Sequence, residues 1–236
     1  MNAPIICSIH KCDEKTIRIC FDTDRGIICR SCRIEQTRLG HSSCSEQILK
    51  LPSPFRRASD VRNDLVLITS KGTFLDDYNV GRGLHIGITR DDRTLLEFSS
   101  EGLAKNTESR PRWRQCLGLN ILERLSTRIR TSKSVLHSTW NQSLDLLISE
   151  GKTDWSSVRY DSELNNCFDF ALAFLAAFVS MLNQSGIETG TLEDLNDSLR
   201  SKSSFCQYFV IPETRRAARY ISLHRKLKSG ATSINI

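Results

Sequence analysis

The apolar positions of this chain change period several times, and each change predicts an element. Asp64 to Thr69 (DLVLIT) is a short apolar run that reads as a buried strand. Leu84 to Thr89 and Arg93 to Phe98 flank Arg90-Asp91-Asp92 in the pattern of a hairpin. Residues 113–131 fit no single period, and Leu117 to Leu125 suits a strand or a helix. Ser134 to Glu150 carries Leu136, Trp140, Leu144 and Leu147 at helical spacing, and Gly151 ends it. A second long helix opens at Cys167 and runs to about Leu182, where Asn183 and Gly186 stop it. Thr191 to Leu199 predicts a short helix capped by Thr191, and Phe205 to Ile211 reads as a strand. Pro212 then starts a basic helix through about Leu227, since proline is tolerated in a first helical turn. Strands and helices mix without regular alternation, so the pattern predicts an α+β protein.

Composition divides this pattern into parts. The chain has 236 residues, enough for one domain of ordinary size and a small appendage. Its 39% hydrophobic and 25% charged content is that of a globular chain. Of nine cysteines, Cys7, Cys12, Cys20, Cys29, Cys32 and Cys44 precede residue 45. Pro52-Ser53-Pro54 followed by Phe55-Arg56-Arg57 reads as a linker. The expected organisation is a Cys-rich module over 1–54, a main domain with a basic C-terminal helix over 55–228, and a flexible tail over 229–236. Met1 to Cys7 lacks the basic region and long apolar core of a secretion leader. Phe168 to Leu182 includes Asp169 and is shorter than the roughly 20 apolar residues of a bilayer span, which predicts a core helix and no transmembrane segment. An odd number of cysteines without a leader predicts reduced thiols or bound metal, in the cytoplasm or nucleus. The net charge of +6 permits an anionic partner and requires none.

The hairpin brings polar groups together. With Arg90-Asp91-Asp92 as the loop, paired residue numbers sum to 182 and His85 faces Glu97. Leu84, Ile86, Ile88, Thr94, Leu96 and Phe98 then share an apolar face, while His85, Gly87, Thr89, Leu95 and Glu97 share the other. A carboxylate beside an imidazole fixes its tautomer and supports the imidazolium. Gly87 leaves room beside His85 for a helix end or a substrate. Cys167 stands where a helix N-terminus lowers a thiol's pKa. Cys167, His85 and Glu97 thus form a candidate nucleophile, base and orienter, with amides near Phe168 as oxyanion donors. The plain alternative is a packed cysteine and a structural histidine. Asp169 suits the helix dipole, but its charge opposes a thiolate.

His85-Ile86-Gly87-Ile88 on a strand, followed later by Asn166-Cys167-Phe168-Asp169-Phe170 opening a helix, resembles the permuted papain-like thiol hydrolases. That class includes the lecithin:retinol acyltransferase-like proteins and the PPPDE peptidases. The resemblance covers roughly residues 64–182 and implies an antiparallel sheet with packed helices, with histidine before cysteine in the chain. Glu97 stands where the acyltransferase branch carries a histidine. LHIGIT, NNCFDFALAF and FVIPETRRAARYISL are similar to the makorin-2 opposite-strand protein family, and Cys29-Arg30-Ser31-Cys32 is in register with it. That family is uncharacterised and implies no activity.

Cys29-x-x-Cys32 also has the spacing of a zinc knuckle. His10 and Cys12 complete one tetrahedral set, with Cys7 as a substitute; Cys29, Cys32, His41 and Cys44 form another. Either would hold a structural Zn2+ in a zinc-ribbon-like module, because four protein ligands leave no position for water. Arg215, Arg216, Arg219, Arg225, Lys226 and Lys228 make the last helix basic. No aromatic platform accompanies them, so nucleic acid is not the expected partner. Two functions remain: a cysteine-dependent hydrolase or acyltransferase on an acyl or peptide substrate, or a non-catalytic module that meets a protein through its zinc module and basic helix.

Overall fold

A computed structural model describes residues 51–106, 111–127, 129, 131–151, 153–187, 197 and 199–226 in full, and only the backbone of residues 227–228 and of further strand segments within 5–50 and 233–235. The chain divides into two compact units, Met1–Pro54 with Arg219–Ile236, and Phe55–Ala218. In the first unit, β1 (Ile5–Asp13), β2 (Thr16–Phe21), β5 (Glu46–Leu51) and the chain's last strand, β12 (Ser233–Asn235), form an antiparallel sheet in the order β12-β2-β1-β5. The short strands β3 (Ile27–Ile28) and β4 (Glu35–Gln36) pair with each other. His10 and Cys12 fall on β1, but the side chains of the expected zinc ligands His10, Cys12, Cys29 and Cys32, and of Cys7, His41 and Cys44, lie outside the described residues, as does most of the Thr191–Leu199 segment. Among the described residues no cluster of His, Cys, Asp or Glu is placed to hold a metal.

The second unit is mixed α+β. Its six strands are β6 (Phe55–Arg56), β7 (Leu65–Thr69), β8 (Leu84–Thr89), β9 (Leu95–Ser99), β10 (Gly102–Asn106) and β11 (Cys116–Gly118). They form one antiparallel sheet in the order β10-β9-β8-β7-β11-β6. The segment that fitted neither period divides between them: Cys116–Gly118 is a strand, and Ile121–Ser126 is the short helix α1. Two longer helices follow, α2 (Lys133–Glu150) and α3 (Cys167–Gln184).

Helix α3 buries Cys167, Phe170, Ala171, Phe174, Leu175, Phe178, Val179 and Leu182, a stripe that returns every three or four residues. That stripe packs on β8, β9 and α2. Among the described residues α3 is the one helix long and apolar enough to cross a bilayer, and these contacts make it a core helix. Trp140 of α2 stacks edge-on to Phe174 at 4.6 Å and donates its indole N–H to the Thr89 carbonyl at 3.0 Å, tying α2 to both α3 and the end of β8.

Two expectations are corrected. Phe205 to Ile211 is helical, not a strand: α4 (Lys202–Phe205) passes through a π-helical turn, Cys206–Val210, into α5 (Ile211–Lys228). Its buried residues Phe205, Phe209 and Val210 recur at helical spacing, and the Ser201 hydroxyl caps the start by accepting from the Ser204 amide at 3.0 Å.

The hairpin register also differs. Gly87 faces Glu97, Ile88 faces Leu96 and Thr89 faces Leu95, so paired numbers sum to 184. The loop runs from Arg90 to Thr94, closed by the Arg90 amide on the Thr94 carbonyl at 2.9 Å and the Arg93 amide on the Arg90 carbonyl at 3.1 Å. Arg93 takes a positive φ of 68°, the left-handed residue that such a longer turn needs before the strand resumes. A shift of two residues leaves every side chain on its expected face, because side chains alternate with period two.

Asp64 joins the sheet to α1. Its Oδ2 accepts from the Asn120 amide at 2.9 Å and its Oδ1 from the Ile121 amide at 3.0 Å. Burial pushes its carboxyl up to about 6, against the opposing effect of these two amides. A Cβ on Gly118 would stand 2.8 Å from Asp64 Oδ2. Gly118→Ala is therefore expected to displace the carboxylate from both amides and to lower unfolding stability by about 1–3 kcal/mol, read as a lower urea midpoint.

Candidate active site

The ladder between β8 and β9 stops at the Gly87–Glu97 pair, so His85 has no β9 partner beside it. The imidazole reaches diagonally instead, and its Nε2 lies 3.1 Å from Glu97 Oε2. His85 and Glu97 are 7% and 2% exposed. An ionised carboxylate only accepts, so Nε2 carries the proton and Nδ1 is the nitrogen left for the thiol. The Cys167 side chain is close enough to His85 to raise its ionisation, as Glu97 also does. The structure thus brings Cys167, His85 and Glu97 together, with His85 in the middle.

Glu97 is held from several sides. Asn106 Nδ2 donates to its Oε1 at 3.0 Å, Trp113 Nε1 donates to its Oε2 at 3.2 Å, and an Arg112 guanidinium nitrogen stands 3.9 Å from Oε2. Burial alone would raise its carboxyl; the His85 bond, the charges of His85 and Arg112 and the Trp113 bond reverse that and hold it below its ordinary value. The Trp113 ring lies 5.8 Å from the His85 ring and is fully buried. It also fills the space left by Gly87, where an added Cβ would come 2.9 Å from the indole edge. The room expected beside His85 is therefore taken by Trp113 rather than left open to a ligand.

The start of α3 is fixed by a reciprocal cap. Asn166 Oδ1 accepts from the Phe168 amide at 2.9 Å, and Asp169 Oδ2 accepts from the Asn166 amide at 2.8 Å. The Phe168 amide is thus already engaged, which removes it as the expected oxyanion donor; the Cys167 amide is the one the cap leaves free. Asp169 is occupied as well, since Lys202 Nζ stands 3.0 Å from its Oδ2. Its charge is spent on the cap and on Lys202, which offsets the opposition to a thiolate expected from its position.

Asn106, Trp113, Arg112 and Tyr160 complete the surroundings and were not evident from spacing. One signal existed for Asn106. Ala104 pairs with Glu97, so Asn106, two residues on, shares the Glu97 face. Tyr160 feels burial and the charge of Cys167, and both push its hydroxyl up. A cleft of about 290 Å3 lies elsewhere, between residues 56–64 and the faces of α1 and α2, and Cys167 itself is only 5% exposed.

An α+β domain whose strands β8 and β9 and buried helix α3 carry a Cys–His–Glu cluster is the class that fold and site define. Residues 48–227 match the family model described as DUF4796 C-terminal, and the chain belongs to that family. The chain is also similar to the human protein called MKRN2 opposite strand protein, at 22% identity over 197 residues, covering 84% of this chain and 77% of that protein. No solved structure matches it significantly.

The ionisation of His85 gives a testable pH dependence. Burial opposes the imidazolium, but the interactions with Cys167 and Glu97 outweigh it and raise the group from 6.5 to about 9. The folded state therefore binds this proton more tightly than the unfolded chain does. The stabilisation from His85 is complete below 6.5, declines as pH rises, and is gone above about 9. The stability difference between wild type and His85→Gln should shrink across that window in urea unfolding. A constant difference would rule out the raised imidazole.

Proposed function

We propose that this chain is a cysteine-dependent hydrolase or acyltransferase of permuted papain-like type. The observation that carries this reading is the placement of His85 between the Glu97 carboxylate and the Cys167 sulfur at the capped start of a long helix. An imidazolium next to sulfur favours the thiolate. In the proposed reaction, Cys167 sulfur attacks an acyl carbonyl and the His85 proton passes to the leaving amine or alkoxide. The bond to the leaving group breaks as a thioester remains on the enzyme. His85 then takes a proton from water or from an acceptor hydroxyl or amine, whose oxygen or nitrogen attacks the thioester; the acyl group leaves on it and the Cys167 thiolate is restored beside a protonated His85. The Cys167 amide faces the developing oxyanion. Glu97 holds the imidazole and does not itself transfer a proton.

The histidine-before-cysteine order, the antiparallel sheet and the packed α3 support a permuted papain-like fold. A structural Zn2+ on His10, Cys12, Cys29 and Cys32 and a cytoplasmic or nuclear location belong to the same proposal.

The near-complete burial of Cys167 and His85 favours a second reading. In it the pair is a packing relic, and the chain is an interaction module acting through the Cys-rich unit and the basic helix, where Arg215, Arg216 and Arg219 are exposed.

Residue-resolved alkylation with iodoacetamide separates the two. A catalytic Cys167 is expected to label at least about tenfold faster than Cys206, whose thiol is raised by burial, and to lose that advantage in His85→Ala. Labelling at the pace of Cys206, unaffected by His85→Ala, would favour the interaction module.

A further inference from the structure

The cleft beside β7 has the marks of a second binding site, away from Cys167. Its volume is about 290 Å3, and Asn63 lines it. Asn63 is 1% exposed, yet its Oδ1 has no hydrogen-bond partner. Its Nδ2 stands 2.6 Å from His137 Nδ1. Exchanging the amide oxygen and nitrogen would only move the vacancy to the other atom. A buried polar atom left without a partner carries a free-energy penalty that a bound group would remove.

The backbone at the same place is unusual. Asn63 has φ 47° and Asn120, which also lines the cleft, has φ 54°. Left-handed backbone is uncommon outside glycine, and such residues gather at ligand sites. Both are pinned: the Asn63 amide donates to the Arg90 carbonyl at 3.3 Å, and the Asn120 amide to Asp64 Oδ2 at 2.9 Å.

Around this buried amide the lining carries exposed charges of both signs. Arg56, Arg62 and Lys133 supply cations, and Asp60 and Glu123 supply carboxylates. These five side chains are exposed, and none is in an ion pair among the described residues. A site lined by a single sign would select an ion of the other sign; this one offers both. The volume is at the lower limit of small-molecule pockets.

We propose that this cleft binds a small zwitterion bearing an ammonium and a carboxylate, of the amino acid or dipeptide class. An ammonium hydrogen is donated to Asn63 Oδ1, with the lining carboxylates nearby. The ligand carboxylate is taken by the arginines and Lys133. The assignment is independent of any chemistry at Cys167.

The test uses the full chain and panels of free L-amino acids and Gly-X dipeptides, screened by thermal shift and confirmed by titration calorimetry. At least one member should raise the melting temperature. Its N-acetyl and its C-terminal amide derivatives should each bind at least about tenfold more weakly, since each removes one charge. Asn63→Gly, which keeps the positive φ accessible, should weaken binding about tenfold. The exposed Arg62→Gln should do so without altering the melting temperature of the free protein. Cys167→Ser should bind as wild type does. No response to any member, an equal response to inorganic phosphate alone, or binding unchanged in both Asn63→Gly and Arg62→Gln would overturn the proposal.

Discussion

A carboxylate that is 2% exposed keeps its charge only where that charge is compensated. At Glu97 the compensation comes from Asn106, Trp113, Arg112 and His85. These partners arrive from β10, from the turn before β11, and from β8. The one side chain therefore ties the edge of the sheet to its centre. It also sets the orientation of His85, and through His85 the environment of the Cys167 sulfur. Removal of the carboxylate would leave three donors and an imidazolium without their common acceptor.

The helix side of the site is organised on the same principle. Asn166 and Asp169 satisfy amides that the first turn of a helix otherwise leaves open, and Lys202 compensates the charge this introduces. The polar groups near Cys167 are consequently engaged with one another. Apolar packing surrounds them: Phe170 lies against Trp155 and Phe98, and Phe174 against Trp140. The result is a polar cluster at the end of a dry core, where electrostatic interactions are stronger than in water.

Much of this was legible in the sequence, for identifiable reasons. α2 and α3 were readable because their buried residues repeat with helical period over many turns. His85 and Glu97 were readable as one face because alternation survives an error of register of two residues. The register itself was not, since it depends on Arg93 adopting a left-handed conformation that its side chain does not advertise. Phe205, Phe209 and Val210 were misread because a short apolar run does not reveal its period until its neighbours are known. Trp113 was missed because no local pattern reports on a bond made across the sheet, and Asn106 because its face follows only once β10 is paired with β9. The cleft at Asn63 was invisible for the same reason: its walls are far apart in the chain.

The turn between His85 and Glu97 bears on how this domain tolerates change. The two side chains meet because an odd number of residues lies between them, which places both on one surface of the sheet. Gain or loss of a single residue within β8 or β9 would evert the rest of that strand; in β9, before Glu97, it would carry Glu97 to the opposite face and bring Phe98 toward the polar cluster. Gain or loss of a pair would leave both surfaces as they are. Length variation within the paired strands is thus constrained in parity, whereas the turn itself can lengthen without exchanging the two surfaces.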